Sequence, residues 1–391
     1  MTPLILLDSQ EHSLRIGKIR DALAYTGAKA ILINDNANIF YITGRVFAGQ
    51  IYIPLTGPVI FFIRRPVGLS GDGVVYVRKP EQIAETIGLN MPEAIALELD
   101  ITAYSTVQRL AAIFPGSQIV NGSPVMRMAR SVKTAAELAL MKISGEKQER
   151  VYRSIPRLYR PGMTDLELQV EIEKASRLEG CLGQFRISGD SMELYMANIL
   201  VGDNADNPTP YDFAMGGAGL DPSLPVGCNG TVIRPGYSVM VDANGNYTGY
   251  MTDMTRTFAV TAVDAIAEKA HHTSIEICAA IARAGKPGTP AKELYHLAES
   301  MAKEAGLERY FMGHAQKAGF VGHGVGIEIN EMPVLAPRSK DTLCCGNAIA
   351  VEPKFVIPGV GAVGIENTYI VTESGMERIT CAPEELISLE E

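Results

Sequence analysis

Apolar positions in the first part of the chain follow two periods. Residues 11–27 carry them three and four positions apart, which predicts an amphipathic helix that ends at Gly27. Short apolar runs bounded by turn residues, such as AILI at 30–33, predict buried strands. Further strands are predicted at IYIPL, VIFFI, GVVYV and AIALEL, and further helices at 81–89 and 104–114. Because strands alternate with helices, this part of the chain is typical of an α/β domain.

Helical periodicity dominates the start of the second part. Residues 131–159 predict a helix with Thr134 as its N-cap and Glu137 three residues later, which is the spacing of a capping box. After a Pro-Gly break, another helix is predicted to begin at Thr164. Two more helices are predicted at 262–283 and 290–305. Runs rich in Val, Ile, Gly and Pro, which are typical of strands, lie between and after them.

The length also indicates two domains. At 391 residues, the chain exceeds the size of about 250–300 residues at which a single hydrophobic core stops growing. The pattern changes within the segment NGSPVMRMAR, so we predict an α/β domain over 1–128 and a second domain over 129–391. An apolar fraction of 47% and a charged fraction of 20% indicate a globular protein.

Charge, targeting signals and cysteines exclude several classes of function. The net charge is -9 and no run of Lys or Arg occurs, which argues against a nucleic-acid partner. No apolar run approaches the roughly 18 residues of a membrane span, and the start of the chain does not have the order of a secretory signal. The six cysteines form no CxxC pair, so we expect reduced thiols and a cytoplasmic location.

Five candidate metal ligands lie in four short segments of the second part: Asp242, Asp253, His323, Glu352 and Glu366. A hairpin that turns near Gly245–Gly249 would bring the two aspartates close together across its strands. A second hairpin, which turns near Pro358-Gly359, is bracketed by the two glutamates. Taken singly, an Asp at a strand end is more often a turn residue, and a His between glycines is more often structural. The combination carries the prediction.

Four carboxylates that face one interior repel one another unless cations lie among them. Two divalent ions would balance this charge. One imidazole together with four carboxylates favours Mn, Co, Fe or Zn over Ca or Mg. The sequence therefore predicts a site for two divalent metal ions.

The same segments resemble those of the pita-bread metallohydrolases, which include Xaa-Pro dipeptidase, Xaa-Pro aminopeptidase, methionine aminopeptidase and creatinase. The family pattern runs D-x-G-x-x-x-x-G-Y-x-(S/T)-D-x-T-R-T, then G-H-G-x-G, then E-P, then I-E. The matching segments are Asp242 to Thr257, Gly322 to Gly326, Glu352-Pro353 and Ile365-Glu366. RIGKIRDAL, NIFYITG and RSVKTAAELALM extend the resemblance to the first domain and to the entry into the second.

The resemblance implies a fold, an assembly and a role for each ligand. The second domain would be an α+β pita-bread catalytic domain with pseudo-twofold related halves, and the protein would be a homodimer. Asp242 would bind one ion, His323 and Glu352 the other, and Asp253 and Glu366 both. A water shared by two ions becomes a nucleophile near neutral pH. Glu352 would accept and relay its proton, so Glu352 and His323 are the candidate catalytic residues.

The chain departs from the family around the expected substrate pocket. Val226 and Asn330 stand where two histidines are usual, and Gly364 stands where an Arg is common. Val226 cannot donate a hydrogen bond, and Asn330 cannot carry a proton, so the usual oxyanion donors would be altered. His314 and Tyr250 are candidate replacements, although Tyr250 in a hairpin is more often a packing residue.

Three functions remain open from the sequence. The first is a metallo-aminopeptidase or dipeptidase that cleaves the bond to proline at the amino end of a small peptide. The second is a non-peptidase hydrolase that cleaves a C–N bond in an amino-acid-like or guanidino compound. The third is a catalytically silent binding protein on the same fold. The third predicts a degraded ligand set, and a panel of Xaa-Pro peptides and small amides separates the first two.

Overall fold

The structure, a computed structural model, describes residues 2–88, 90–189 and 192–390. The chain divides into two compact units, Met1–Arg130 and Ser131–Glu391. Each unit contains a hydrophobic core of its own. Across the described ranges, we find no helix with the length and apolar character that a membrane span requires.

A mixed six-stranded sheet forms the centre of the first unit. The strands of this sheet are β2 (Ala30–Ile33), β3 (Ala48–Pro54), β4 (Ile60–Arg65), β6 (Val74–Tyr76), β7 (Ala94–Leu97) and β8 (Gln118–Asn121). Two short strands, β1 (Thr2–Pro3) and β5 (Leu69–Ser70), form a separate pair. The order is β6-β4-β3-β2-β7-β8, and β2 pairs antiparallel with β3 and parallel with β7. The predicted strand at 30–33 is confirmed as β2. All its residues are buried, as in a strand covered on both faces.

The helices of the first unit are α1 (Ser9–Ala24), α2 (Asn36–Thr43), α3 (Gln82–Ile87), α4 (Tyr104–Ala111) and α5 (Ser123–Ser131). Helices α3 and α4 pack through Ile83 and Leu110 against the sheet residues Leu32 and Ile95. The helices predicted at 11–27 and 104–114 are confirmed as α1 and α4, with shorter C-terminal ends. The helix predicted at 81–89 is α3, and Leu89 lies outside the described residues.

The helices of the second unit are α6 (Ala135–Leu158), α7 (Asp165–Leu178), α8 (Ala265–Ala284) and α9 (Ala291–Glu304), with a short 3-10 helix at Gly202–Asp206. Its strands are β9 (Ala197–Val201), β10 (Ser238–Asn246), β11 (Met251–Ala259), β12 (Gly322–Gly324), β13 (Glu331–Leu335), β14 (Ala348–Val351), β15 (Lys354–Ile357), β16 (Gly361–Gly364), β17 (Asn367–Thr372), β18 (Gly375–Arg378) and β19 (Ile387–Ser388).

Two helix-covered sheets make up most of the second unit. Helices α6 and α7 pack on a sheet of order β19-β11-β10-β9, where Tyr152 and Leu168 meet Ile199 and Val241. Helices α8 and α9 belong to a second core with residues of the sheet β13-β12-β14-β17-β18. This repeated arrangement of two helices and one sheet agrees with the expected α+β domain of two similar halves.

Capping and turn signals in the sequence correspond to the ends of several elements. Both predicted N-caps, Thr134 and Thr164, form complete capping boxes with the glutamate three residues later. The two predicted hairpins are confirmed as β10–β11 and β15–β16. The first connects the two candidate aspartates, and the second lies between the two candidate glutamates.

The hairpin β15–β16 packs against the face of β10 that lies away from the helices. Residues of β10 alternate, so that Val239 and Val241 enter the core under α6 and α7. Met240, on the opposite face, packs with Val356 of β15 and Ala362 of β16 in a smaller cluster. Two residues beyond Met240 along β10 lies Asp242, which therefore faces the hairpin as well.

Candidate metal centre

The register of three strands brings polar side chains to one face of the first sheet. Asp242 on β10 pairs with Asn198 on β9 and with Thr255 on β11. Asp253 on β11 pairs with Asn244, which is two residues beyond Asp242. The two aspartates are therefore diagonal neighbours on the face opposite to the helices, as positions i and i+2 of a strand share a face.

The other candidate ligands come from the second sheet and its connections. His323 lies at the centre of β12, Glu352 directly follows β14, and Glu366 directly precedes β17. Glu366 is joined to the first sheet by a two-way backbone bridge with Thr255. The Thr255 hydroxyl also donates to Glu366 Oε2 at 2.7 Å. This bridge connects the Glu-bearing and Asp-bearing halves of the centre.

Five ligands predicted from the sequence converge as two overlapping groups: Asp253, His323 and Glu366 form one, and Asp242, Glu352 and Glu366 the other. Within each group, the potential ligand atoms lie within 4.8 Å of one another. His323 Nε2 is 3.4 Å from Glu352 Oε1 and 3.9 Å from Asp253 Oδ2. The donor set of one imidazole and several carboxylates suits a transition metal.

Glu366 supplies a direct test of whether these residues suit a cation. Its side chain is 1% exposed, and its Oε1 atom finds no hydrogen-bond partner among the described residues. A buried carboxylate oxygen without a partner is costly. A metal ion in the group formed with Asp253 and His323 would satisfy it, so the first group fits a metal.

Lys354 enters the second group. Its side chain is fully buried, and its Nζ atom donates to Asp242 Oδ2 at 2.8 Å, Glu352 Oε2 at 2.8 Å and Glu366 Oε2 at 3.1 Å. The lysine therefore contacts all three members of that group. Lys354 is not among the site residues predicted from the sequence.

Burial and crowding shift the pKa values of the centre. Burial and then the charge of Asp242 raise the pKa of Asp253, and burial with neighbouring carboxylates raises the pKa of Glu366. Burial alone would raise the pKa of Glu352, but the charges and hydrogen bonds of Lys354 and His323 outweigh burial and lower it. Burial would lower the pKa of His323, but the hydrogen bond and charge of Glu352 raise it. Burial and mutual repulsion thus favour the protonated forms of Asp253 and Glu366 when no cation lies between them.

A cavity that is partly open to solvent lies beside these ligands. Its walls combine a polar end with an apolar one. The polar end contains Asp242, Asp253, His323, Glu352, Asn198 and Asn244, and the apolar end contains Ile187, Met192, Leu194, Phe213, Phe320 and Ile329.

Of the four residues predicted for the substrate pocket, one lines this cavity. This residue is Asn330, whose side chain makes two hydrogen bonds with the backbone of Ser188. Its Oδ1 atom accepts from the Ser188 N–H, and its Nδ2 atom donates to the Ser188 carbonyl. Val226 and Tyr250 are buried in the protein and are not among the lining residues. His314 is bound instead to Asp206, with 2.8 Å between Nδ1 and Oδ2, and it does not line the cavity either.

Two asparagines were also missed by the sequence analysis. Asn198 and Asn244 donate through Nδ2 to the carbonyls of Met215 and Met196, at 3.0 and 3.1 Å. Their Oδ1 atoms are buried without a hydrogen-bond partner among the described residues, although both side chains line the cavity. A signal for Asn244 was present, because it stands where the family pattern has its first Gly.

Two family models match the chain. The model of metallopeptidase family M24 matches residues 139–373, and that of the creatinase/prolidase N-terminal domain matches residues 15–132. The first match covers more than half of the chain. The resemblance predicted from the motifs and the predicted fold class are therefore confirmed.

Relatives and solved structures agree with this assignment over nearly the whole chain. The uncharacterized peptidase YqhT of Bacillus subtilis is 25% identical over 389 residues, which are 96% of this chain and 100% of the relative. The Xaa-Pro dipeptidase of Pyrococcus horikoshii is 24% identical over 378 residues, which are 95% of this chain and 98% of the relative. The structure of Xaa-Pro dipeptidase from Bacillus anthracis matches with a TM-score of 0.80 at 25% identity, covering 96% of this chain and 99% of that one.

Motifs, fold, converging ligands and family matches thus lead to one assignment. The chain belongs to metallopeptidase family M24, with a creatinase/prolidase-type N-terminal domain, and is a metal-dependent peptidase.

Proposed function

We propose that this protein cleaves short peptides next to their free amino end, as an Xaa-Pro dipeptidase or aminopeptidase, with a divalent ion at Asp253, His323 and Glu366. The observation that carries the proposal is the buried, unpaired Oε1 atom of Glu366 beside Asp253 and His323, two residues that line a partly open cavity. The names of the relatives support the peptide substrate.

The residues of this centre would have different roles in the reaction. A bound divalent ion would polarise the scissile carbonyl and promote deprotonation of water near neutral pH. Glu352 lines the cavity, so it is the candidate to accept the proton of the attacking water and pass it to the leaving nitrogen. His323 and Asp253 would hold the ion at the wall of the cavity.

The polar end of the cavity is suited to a protonated amino group. The unpaired Oδ1 atoms of Asn198 and Asn244 are acceptors, and Asp242 lies between these two residues along the register of β9 and β10. An ammonium group donates three hydrogen bonds and cancels part of the negative charge. We propose that these residues bind the free α-amino group of the substrate.

The apolar end would receive the side chains of the peptide. Met192, Leu194, Phe213, Phe320 and Ile329 present hydrocarbon and aromatic surface there. Such a wall accepts a proline ring or a large apolar side chain, because both gain from removal from water.

Hydrolysis assays on protein loaded with Mn²⁺ or Co²⁺ test the proposal. We expect cleavage of Met-Pro, slower cleavage of Met-Ala and no cleavage of N-acetyl-Met-Pro, whose amino group is blocked. Creatine serves as the small guanidino compound. Metal-loaded protein that cleaves creatine but neither dipeptide, or that cleaves nothing, would contradict the peptidase proposal.

Asparagine variants test how the amino group is bound. Asn198→Ala and Asn244→Ala should raise KM for Met-Pro about tenfold or more, as expected for loss of hydrogen bonds to a charged group. Asn204→Ala is the matched control, because Asn204 is a buried asparagine whose two amide ends are paired within the protein. An equal effect on KM from all three variants would argue against the assignment.

The remaining finer expectations stay predictions. Manganese, cobalt, iron and zinc all suit the donor set, and the number of ions, the homodimer and the cytoplasmic location rest on the sequence and the resemblance.

A further inference from the structure

Lys354 occupies the place of a cation. Its ammonium group lies among Asp242, Glu352 and Glu366, which are the same three residues that make up the second candidate metal group. An ammonium group has three N–H donors, and here each one has a carboxylate acceptor at 2.8–3.1 Å.

We propose that Lys354 is a built-in replacement for one of the two expected metal ions, so that this chain binds a single divalent ion per active site. The inference rests on the proposed function, since it assigns the ion of that same centre. Lys354 acts as a positioning residue: it holds three carboxylates in place and does not itself touch the reacting bond.

The contact geometry excludes a second ion while Lys354 remains in place. Metal–oxygen bonds to carboxylates are about 2.0–2.2 Å long. An ion at that distance from the same oxygens would lie almost on top of the ammonium nitrogen, and the two positive charges would repel strongly in a buried site. Because the Lys354 side chain is fully buried, it would have to leave its pocket before such an ion could bind.

The remaining ligand atoms point to one ion site. Glu352 and Glu366 each give their Oε2 atom to Lys354. Glu352 Oε1 remains and is 3.4 Å from His323 Nε2, whereas Glu366 Oε1 remains without a described partner. Glu366 Oε1, with His323 and Asp253, can supply three ligands to a single ion, and Glu352 Oε1 lies beside this group.

The backbone of Lys354 is held by an unusual residue. The Lys354 carbonyl accepts a hydrogen bond from Met312 N–H at 2.8 Å, and the Lys354 N–H donates to Met312 Sδ at 3.5 Å. Met312 has φ 54°, and it is the one non-glycine residue in the described part of the chain with a positive φ. Such conformations are uncommon and persist where the surroundings impose them.

The strand opposite Lys354 leaves room for this arrangement. Lys354 pairs with Gly364, the position at which an Arg is common in the family. A Cβ atom at Gly364 would lie 2.7 Å from the Pro353 carbonyl oxygen and 3.1 Å from Lys354 Cα. In this chain the positive charge of the strand pair therefore lies on β15, at Lys354, and not on β16, where an Arg is common in the family.

The charge balance also agrees with one ion. Four carboxylates carry four negative charges, and Lys354 with one divalent ion balances three of them. One negative charge is left at the polar end of the cavity, which favours the α-ammonium group of a peptide. Lys354 together with two divalent ions would leave the centre positive and would disfavour the same group.

Metal counting on wild type and on Lys354→Met tests the inference. Both proteins are stripped of metal, loaded with excess Mn²⁺, freed of unbound ion and measured by elemental analysis, with electron paramagnetic resonance to detect coupling between neighbouring ions. We expect about one Mn²⁺ per wild-type chain without coupling, and about two coupled ions per Lys354→Met chain. Lys133→Met is the control, because it removes another buried lysine that pairs with a glutamate and should leave one ion.

The outcomes separate this inference from the proposed function. Two ions in wild type would overturn the inference and leave the metallopeptidase proposal standing. One ion in wild type and in a folded Lys354→Met protein would overturn it as well, because Lys354 would not be what excludes the second ion. No ion in wild type would contradict both. If Lys354→Met does not fold, the wild-type count and its resonance spectrum still decide.

Discussion

Asp253 is the aspartate of the candidate ion group that it forms with His323 and Glu366. Its side chain is buried, and its Oδ2 atom is 3.9 Å from His323 Nε2. Asp253→Asn keeps the size of the side chain but removes its charge. Loss of groups that merely orient metal ligands costs about 10–100-fold in affinity, so we expect Mn²⁺ to bind Asp253→Asn at least about tenfold more weakly. Titration calorimetry measures this directly.

Asp21→Asn is the matched control for that variant, since Asp21 lies exposed on α1. It should bind Mn²⁺ as wild type does. If Asp253→Asn also kept the wild-type affinity, Asp253 would not be a ligand.

We expect Glu98 to make the free energy of unfolding depend on pH. It is buried and accepts hydrogen bonds from the backbone N–H groups of Asn34 and Asp35. Burial nevertheless raises the pKa of Glu98 from 4.5 to about 7. The folded protein therefore holds this proton more tightly than the unfolded chain, and the contribution of Glu98 to stability falls as pH rises from 4.5 through 7.

We expect Glu98→Gln to remove this part of the pH dependence, because glutamine does not ionise. Relative to the variant, wild type should lose up to about 3 kcal/mol of unfolding free energy between pH 4.5 and pH 8. Denaturant unfolding at several pH values measures the difference. Parallel pH profiles for the two proteins would show that Glu98 does not titrate in this range.

At the residue scale, site residues that belong to short motifs were predictable, whereas a side chain that contacts residues distant in the sequence was not. The five candidate ligands lie together because each is tied to a local motif; their role as ligands stays a prediction. Lys354 was missed because a lysine next to Glu352-Pro353 more often faces water. One signal was present: Glu352, Lys354 and Val356 are spaced two residues apart, and residues two apart in an extended segment point to the same side.

At the scale of single elements, the two capping boxes offer a matched pair. Thr134 and Glu137 are buried at the start of α6, whereas Thr164 and Glu167 are more accessible at the start of α7. Removing an N-cap costs about 0.5–2 kcal/mol, and a polar group left unsatisfied in a buried place costs most. We expect Thr134→Ala to lose about 2 kcal/mol and Thr164→Ala about 1 kcal/mol or less in denaturant unfolding. An equal or reversed order would mean that burial does not govern these caps.

Elements with strong local signals were predictable, whereas short buried ones were not. Helices α6 and α7 have capping boxes and long amphipathic patterns, and both were predicted. Helix α2 has only eight residues and six of them are buried, so it lacks the polar face that would show a helical period. Strand β9 is buried throughout and was likewise not predicted as an element.

At the scale of the whole molecule, fold class followed from the order of elements and from motifs, but sheet order did not. Alternating strands and helices predicted an α/β first domain. The antiparallel pairing of β2, β3 and β4 within it depends on contacts that no local pattern reports. In the second unit, the centre forms only where β10, β11 and β12 and the hairpin β15–β16 meet, so the contacts of Lys354 with all three carboxylates are visible only in the folded structure.

The most direct test of the whole account is a crystal structure of the wild-type protein with Mn²⁺, with data collected for anomalous scattering. We predict one anomalous peak per chain, bounded by His323, Asp253 and Glu366, with Lys354 Nζ still in contact with Asp242. Two peaks, or one peak at the position of the Lys354 ammonium with the lysine displaced, would contradict the account.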